Sequence, residues 1–259
     1  MKVEVNKMSF GYSTTKRVLE DISFEIEPSK SVALVGSSGC GKSTLLRVVC
    51  GILPDSKQNV FTGNIIINGI DIKDEKNKWQ ELRKKGELGF MFQESNLMPF
   101  MNVKDNIHLP LRIIGSREND DERVTEYLKI TGLIDDYKML PNKVSGGMKT
   151  RVALARTFIT KPKLLLLDEP FSSLDIVWKS KLYEEVRKLK RQMNSTVLLV
   201  THDIFEAMFF SNIIIVVGSN HTIVEKVIIN NWDESLSYNE IITKFYNEFV
   251  YIKSLIEAN

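Results

Sequence analysis

Nine consecutive residues after an apolar run have the types and spacing needed to bind phosphate. Residues 36–44 read Gly-Ser-Ser-Gly-Cys-Gly-Lys-Ser-Thr and follow the apolar run 32–35. This is the Gly-x4-Gly-Lys-[Ser/Thr] pattern, in which glycines let backbone N–H groups approach phosphate oxygens and a helix N-terminus adds positive charge. Lys42 can contact the β- and γ-phosphates, and the Ser43 hydroxyl can ligate Mg2+. The pattern favours a phosphate-binding loop over a chance glycine turn. Its predicted ligands are Gly36, Ser37, Ser38, Gly39, Cys40, Gly41, Lys42, Ser43 and Thr44.

Two adjacent carboxylates follow a second apolar run. Residues 164–167 are all leucine, and Asp168 and Glu169 come next. A buried strand would deliver both side chains to the carboxyl edge of a parallel sheet, where ligands bind. There Asp168 can hold Mg2+, and Glu169 can act as the general base that activates a water. Alone the signal is weak, because many strands end in charged turns, but the phosphate-binding loop strengthens it.

A Ser-Gly-Gly sequence opens a third segment of interest. Residues 144–156 read Val-Ser-Gly-Gly-Met-Lys-Thr-Arg-Val-Ala-Leu-Ala-Arg. Ser145, Gly146 and Gly147 would expose backbone N–H groups at a helix N-terminus, which is a second phosphate site, although a merely capped helix start has the same pattern. With the other two motifs, this segment resembles the signature motif of the ATP-binding cassette (ABC) ATPases.

The resemblance implies roles for further residues, which occur in the order that the family has them. It implies that Tyr12 stacks on adenine with Val18 nearby. Gln93 is similar to the glutamine that binds Mg2+ as a ligand and senses the γ-phosphate. Asp175 ends a Ser-Ser-Leu-Asp sequence that resembles the D-loop, which contacts the opposite subunit. His202 resembles the switch histidine that contacts the γ-phosphate and orients the general base, although a lone histidine after a strand is usually structural.

The resemblance also implies that two chains act together, either identical or homologous. Each ATP, with Mg2+, would lie between residues 36–44 of one subunit and residues 145–147 of the other. ATP binding would close the pair and hydrolysis would reopen it, because the γ-phosphate makes some contacts only in the closed state.

The further partners implied are a transmembrane permease and a solute-binding protein. The expected permease contact includes Gln93 and residues 95–110. Phe100 and Met101 are candidates for it, and the alternative is that they cover the local helical core. The chain would then be a peripheral protein on the cytoplasmic face of the cell membrane.

Two residues depart from the commonest form of the family. Met148 follows Ser-Gly-Gly where Gln is commoner, and Ser173 stands where Ala is common. The Met form and residues 93–107 resemble the ATPases of nitrate, sulfonate and taurine importers, although that branch usually has Trp at the position of Phe100. Because Met-type signatures also occur elsewhere in the family, a lipid-transfer, efflux or non-transport ABC ATPase remains an alternative.

The order of patterns predicts an α/β fold of the P-loop NTPase class, with a mostly parallel central sheet. Residues 1–232 are expected to form the ATPase domain, with an antiparallel β subdomain at its N-terminus. Predicted helices at 103–114, 123–133 and 146–160 form a helical insert over 95–160, and another is predicted at 179–193. Residues 233–259 have the spacing of an amphipathic helix, and residues 74–86 are expected to be polar and exposed.

Composition narrows the class of protein. The 259 residues carry a formal net charge of +2 and are 43% hydrophobic, so no electrostatic footprint for nucleic acid is present. Two cysteines make no disulfide framework, and apolar runs such as 213–217 are too short to span a bilayer. A P-loop kinase is disfavoured by the Ser-Gly-Gly helix, and a GTPase by the lack of an Asn-Lys-x-Asp sequence.

Overall fold

A computed structural model describes residues 1–13, 15–52, 59–116 and 120–259. These residues form two compact units, of which the first comprises residues 1–79 with 196–259 and the second comprises residues 80–195. Pro54, which follows the helix predicted after the phosphate-binding loop, lies outside the described residues.

The secondary structure alternates between strands and helices along most of the chain. The strands are β1 (Val3–Ser13), β2 (Lys16–Ile26), β3 (Ser31–Gly36), β4 (Val60–Ile67), β5 (Ile70–Asp71), β6 (Leu88–Met91), β7 (Leu164–Asp168), β8 (Thr196–Val200), β9 (Ile213–Val217) and β10 (Ile223–Ile228). The helices are α1 (Lys42–Cys50), α2 (Lys76–Lys84), α3 (Val103–Ile114), α4 (Asp120–Ile130), α5 (Gly146–Phe158), α6 (Ile176–Met193), α7 (Ile204–Phe210), α8 (Tyr238–Lys244) and α9 (Tyr246–Glu257). The predicted α/β class is confirmed.

An antiparallel sheet in the first unit has the strand order β2-β1-β4-β5. Asn68 and Gly69 connect β4 to β5, and both have left-handed backbones, with φ of 50° and 78°. A two-residue hairpin turn with positive φ at both positions favours Asn-Gly, which is the sequence of this turn. This sheet is the predicted N-terminal antiparallel β subdomain.

The first unit also contains a parallel sheet. Strand β3 pairs in parallel with β8 and β9, and β10 pairs antiparallel to β9. Strands β3 and β8 are buried along their whole length. Continuous apolar strands of this kind belong to sheets that are covered on both faces. The carboxyl end of β3 leads into the loop before α1, so the sheet positions that loop.

The second unit contains a parallel pair, β6 and β7, and helices α3 to α6. The predicted helices at 103–114, 146–160 and 179–193 are confirmed, with small differences at their ends. Helix α4 begins at Asp120 and ends at Ile130, three residues earlier than predicted at each end. Helix α6 begins at Ile176 because the Asp175 carboxylate caps it, accepting hydrogen bonds from the N–H groups of Val177 (3.0 Å) and Trp178 (3.1 Å).

Most of residues 74–86 are exposed, as predicted, and two of them, Trp79 and Gly86, are buried. Residues 76–84 form helix α2, which buries Trp79 to 2% exposure. This helix was not predicted because Trp79 and Leu82 are its only apolar residues among polar and charged ones, although burial of a large aromatic side chain can hold a helix in place. The tail contains two helices, α8 and α9, which meet at Phe245. None of the helices that the structure describes is long and apolar enough to cross a membrane.

Candidate nucleotide-binding and hydrolysis site

The loop between β3 and α1 needs glycine at both of its ends. Gly36 and Gly41 have φ of 151° and 106°, and a Cβ on either would lie within 2.4 Å of a backbone oxygen, from Val217 and Val18 respectively. No side chain in the described part of the chain caps the start of α1. The first N–H groups of that helix can therefore serve an anion.

The Lys42 ammonium is held over the same loop. Its Nζ donates hydrogen bonds to the carbonyl oxygens of Gly36 (2.8 Å) and Ser37 (2.7 Å) and lies 3.4 Å from Cys40 Sγ. A Cβ on Gly39 would meet no heavy atom of the described residues within 4 Å, so the loop is open toward them. An ammonium, helix N–H groups and the Ser43 hydroxyl around an open loop fit a polyphosphate chain and its cation.

Strands β1 and β2 bring Tyr12 and Val18 beside the loop. The Tyr12 hydroxyl lies 3.3 Å from Thr44 Oγ1 at the start of α1, and the Val18 carbonyl closes on Gly41. The Tyr12 ring also packs edge to face on Phe10, with a centroid distance of 5.1 Å. The antiparallel sheet thus places an aromatic ring next to the phosphate-binding loop.

His202 follows β8 at the same edge of the parallel sheet. Leu34 of β3 lies opposite Val200 of β8, so the residues that follow both strands emerge together. Asp203 then caps α7, with its carboxylate accepting hydrogen bonds from the N–H groups of Phe205 (3.0 Å) and Glu206 (3.2 Å). His202 is therefore exposed between a buried strand and a capped helix.

In the second unit, β6 and β7 bring Gln93 and Glu169 together. Met91 is the last residue of β6 and pairs with Leu167, so the chain leaves both strands at the same edge. Gln93 Nε2 donates a hydrogen bond of 3.4 Å to Glu169 Oε2. Asp168 lies at the end of β7 and is 1% exposed. Three of the residues expected at the hydrolysis site therefore share one edge of this strand pair.

Glu169 has an unusual backbone conformation. Its φ is 47°, in the left-handed region, which costs a residue other than glycine about 1–2 kcal/mol. The N–H and the hydroxyl of Ser172 both donate hydrogen bonds to the Glu169 carbonyl, at 3.3 and 3.1 Å. The turn after Glu169 therefore stabilises a backbone that aims this carboxylate toward Gln93.

The signature segment forms the first turn of α5. The Ser145 hydroxyl accepts a hydrogen bond of 3.2 Å from the Met148 N–H, so Ser145 caps the helix. Ser145 and Gly146 are exposed, and a Cβ on Gly146 would meet no further atom within 4 Å in the part of the chain that the structure describes. The sequence allowed either a capped helix start or a phosphate site at these residues, and one structure provides both. A cleft of about 530 Å³ in this unit is lined by residues that include Gly146, Gln93, Thr150 and Ser173.

Two residues to which the sequence analysis gave no role organise the segment after Gln93. Arg156 on α5 donates hydrogen bonds to the carbonyl oxygens of Ser95 (2.6 Å) and Asn96 (2.9 Å), and burial lowers the pKa of this guanidinium. Asn106 on α3 is completely buried. Its amide exchanges hydrogen bonds with the Met98 N–H and with the carbonyl oxygens of residues 98, 101 and 102, at 2.8 to 3.2 Å.

One sequence signal could have identified Asn106. It lies on the face of α3 that buries Val103, Ile107 and Leu111. A polar amide on an apolar helix face must find hydrogen-bond partners, and an adjacent loop is the nearest source of them.

The phosphate-binding loop after a buried parallel strand, and the Asp-Glu pair after another, define a P-loop nucleoside triphosphatase. The comparisons with known proteins agree. The family model described as ABC transporter matches residues 19–172. The chain is 37% identical over 257 residues to the aliphatic sulfonates import ATP-binding protein SsuB of Bacillus thuringiensis subsp. konkukian (strain 97-27), covering 96% of each chain. It is 38% identical over 251 residues to the SsuB of Bacillus anthracis, covering 95% of this chain and 94% of that protein.

A solved structure is similar over its whole length. It is the dimeric ATP-binding cassette MJ0796 in a post-hydrolysis state with ADP and Pi, with a TM-score of 0.78 and 28% identity over 88% of this chain and 99% of that chain. The chain belongs to the ABC transporter family, and it is an ATP-binding and ATP-hydrolysing cassette.

Proposed function

We propose that this cassette energises the import of a small sulfonate-like solute through a separate membrane permease. The observation that supports ATP hydrolysis most directly is the hydrogen bond between Gln93 and Glu169, next to the buried Asp168. The same chain has a phosphate-binding loop that contacts the Lys42 ammonium. The similarity to aliphatic sulfonates import ATP-binding proteins, which extends over nearly the whole chain, supports import and the class of solute. A solute-binding protein is the further partner that import of this kind implies.

We assign the steps of hydrolysis to the following residues. Lys42 and the N–H groups of the loop bind the phosphates, and Tyr12 with Val18 binds the adenine. Ser43, Asp168 and Gln93 would hold Mg2+, which neutralises phosphate charge when bound. Glu169 accepts a proton from the water whose oxygen attacks the γ-phosphorus, and ADP leaves. His202 donates to the γ-phosphate and orients Glu169.

The complete site is proposed to need a second copy of the chain. Ser145, Gly146 and Gly147 of one subunit would bind the ATP held by the loop of the other, and Asp175 would contact the opposite subunit. The exposed backbone of Gly146 supports this role, because no described residue beyond its neighbours in α5 comes within 4 Å of the position that a Cβ would take. The dimeric state of the similar cassette supports it as well.

The segment held by Asn106 is proposed to bind the permease. Phe100 is 74% exposed, so its side chain does not cover the local helical core. Backbone hydrogen bonds from Val103 to Met139 and from Lys104 to Tyr137 hold a second loop beside the start of α3, and Met139 is itself 42% exposed. Exposed apolar side chains on two adjoining loops suit a protein contact. Binding there would keep the cassette at the cytoplasmic face of the membrane.

The Glu169→Gln variant tests this function in vesicles that contain the permease and the solute-binding protein. The amide cannot accept a proton, so hydrolysis should fall about 100-fold or more while ATP binding is retained. An ATP-bound pair should accumulate, and ATP-driven uptake of an alkanesulfonate should stop. Near-normal hydrolysis in the variant would refute the role of Glu169. Movement of lipid instead of alkanesulfonate by the wild type would refute the solute class.

A further inference from the structure

The signature helix and the D-loop of the same chain touch through two hydroxyl groups. Thr150 Oγ1 on α5 lies 2.5 Å from Ser173 Oγ, and Thr150 is 7% exposed. The Ser173 carbonyl oxygen also lies 3.4 Å from the position that a Cβ on Gly147 would take. The D-loop therefore packs directly on the first turn of the helix that carries the signature residues.

A second contact joins α5 to α6, which begins directly after the D-loop. The Arg151 guanidinium lies 3.9 Å from the centre of the Trp178 ring, at the start of α6. Its Nη1 also donates hydrogen bonds to the carbonyl oxygens of Thr131 (2.6 Å) and Gly132 (3.1 Å), which follow α4. A cation that is stacked on one face and hydrogen-bonded at its edge is held in one place. Helices α5 and α6 are thus fixed to each other beside the hydroxyl pair.

The D-loop is also tied to the general base. Ser172 donates two hydrogen bonds to the Glu169 carbonyl, and Ser173 is the next residue. On the other side, the Thr150 hydroxyl lies 3.3 Å from the Gly146 carbonyl oxygen, inside the signature segment. A short polar chain therefore runs from Gly146 through Thr150, Ser173 and Ser172 to Glu169.

We propose that the Thr150–Ser173 hydroxyl pair, supported by the Arg151–Trp178 contact, couples the two nucleotide sites of a pair of chains. Hydrolysis at Glu169 of one chain then depends on whether the signature residues of that same chain have bound the ATP that lies in the partner's phosphate-binding loop. This inference rests on the proposed head-to-tail pair. A phosphate on Ser145–Gly147 pulls on the first turn of α5, and the hydroxyl pair transmits that displacement to the turn that carries Glu169. Thr150 and Ser173 are positioning residues, because they act through Glu169 and the signature residues.

The test uses pairs of full-length chains that carry different tags and are purified through both. The second chain carries either Glu169→Gln, which keeps its own loop filled with ATP, or Lys42→Ala, which leaves that loop without ATP. Both leave only the first chain able to hydrolyse ATP, so the ratio of the two rates measures how much a filled partner site promotes hydrolysis. With a wild-type first chain we expect a ratio of at least about five, the lower end of typical coupling between sites.

The decisive variants of the first chain are Thr150→Val and Thr150→Ser. Valine keeps the shape and loses the hydroxyl, so the ratio should fall below about two. Serine keeps the hydroxyl, so the ratio should stay at the wild-type value. Ser173→Ala should match Thr150→Val, and combining the two should add no further loss because both remove one interaction. Ser180→Ala, which removes an exposed hydroxyl that bonds within α6, is the matched control and should keep the wild-type ratio.

Three results would overturn the proposal. The first is an unchanged ratio in Thr150→Val and Ser173→Ala, and the second is a wild-type ratio near one. The third is equal loss in Thr150→Ser and Thr150→Val, which would show that packing and not the hydroxyl matters. Light scattering measures whether the Glu169→Gln chain forms a pair when ATP is added. If the proposed function is wrong, no ATP-dependent pair will form at all, which distinguishes that failure from the three results above.

Discussion

At the scale of single residues, spacing identifies the chemical groups, whereas long-range contacts decide how they are held. Lys42 and Glu169 follow from local patterns, because each stands in a short motif after an apolar strand. The left-handed backbone of Glu169 and its hydrogen bond to Gln93 depend on strands far apart in the chain. The Thr150–Ser173 contact depends on how two helices pack, which no local pattern specifies.

Asn106 offers a test of how one residue shapes the proposed permease contact. Asn106→Leu should remove the amide that holds residues 98–102, leaving the Met98 N–H without its partner at a cost of about 1–3 kcal/mol. Permease binding should weaken about ten-fold or more, whereas ATP hydrolysis by the isolated cassette should change less than about two-fold. Both are measured on the same preparation, the first by binding to permease-containing vesicles. The matched control is Asn247→Leu on exposed α9, and equal binding by the two variants would contradict the role of Asn106.

At the scale of elements, regular patterns predict most helices and strands, and irregular ones do not. Strands β3, β7 and β9 are short apolar runs, and α3 has clear helical periodicity. Helix α7 was not predicted, because its sequence Ile-Phe-Glu-Ala-Met-Phe-Phe is buried on nearly all sides and shows no polar face. Such a helix can form only where other elements cover it, and the C-terminal helices provide this cover.

The contact between α9 and α7 predicts a measurable loss of stability. The rings of Phe249 and Phe205 stack at 4.1 Å with an interplanar angle of 6°, and Trp232 Nε1 donates a hydrogen bond of 2.7 Å to the Met208 carbonyl. Phe249→Ala should lower the free energy of unfolding by about 1–3 kcal/mol, because it uncovers α7. The melting temperature should then drop by several degrees, which differential scanning fluorimetry would detect.

A control on the same helix separates this packing effect from a general effect of alanine. Val250 is 47% exposed, so Val250→Ala should leave the melting temperature within about 1 °C of the wild-type value. Because α7 begins two residues after His202, the Phe249→Ala variant should also hydrolyse ATP more slowly at saturating ATP. A melting temperature equal to that of Val250→Ala would show that α9 does not stabilise α7.

At the scale of the whole molecule, the proposed head-to-tail pair requires each chain to contribute groups to two nucleotide sites. Lys42 and His202 belong to the first unit, and Gln93, Glu169 and the exposed signature turn at Ser145 belong to the second. The family resemblance predicts the two shared sites from sequence, since one loop and one signature per chain imply a pair. Composition predicts neither the partner nor the solute, because a near-neutral surface has no single dominant charge.

Complementation between two inactive chains tests the head-to-tail pair directly. One chain carries Glu169→Gln and an intact signature, and the other carries Gly146→Asp with an intact loop and Glu169. Aspartate at position 146 places a negative charge where we expect phosphate, so a pair of these chains should be inactive. In the mixed pair, the intact loop and Glu169 of one chain meet the intact signature of the other, which restores one complete site. We expect hydrolysis at least about ten-fold above either identical pair, measured after purification through two tags. If each chain instead used its own signature residues, both sites of the mixed pair would still be defective and no recovery would be seen.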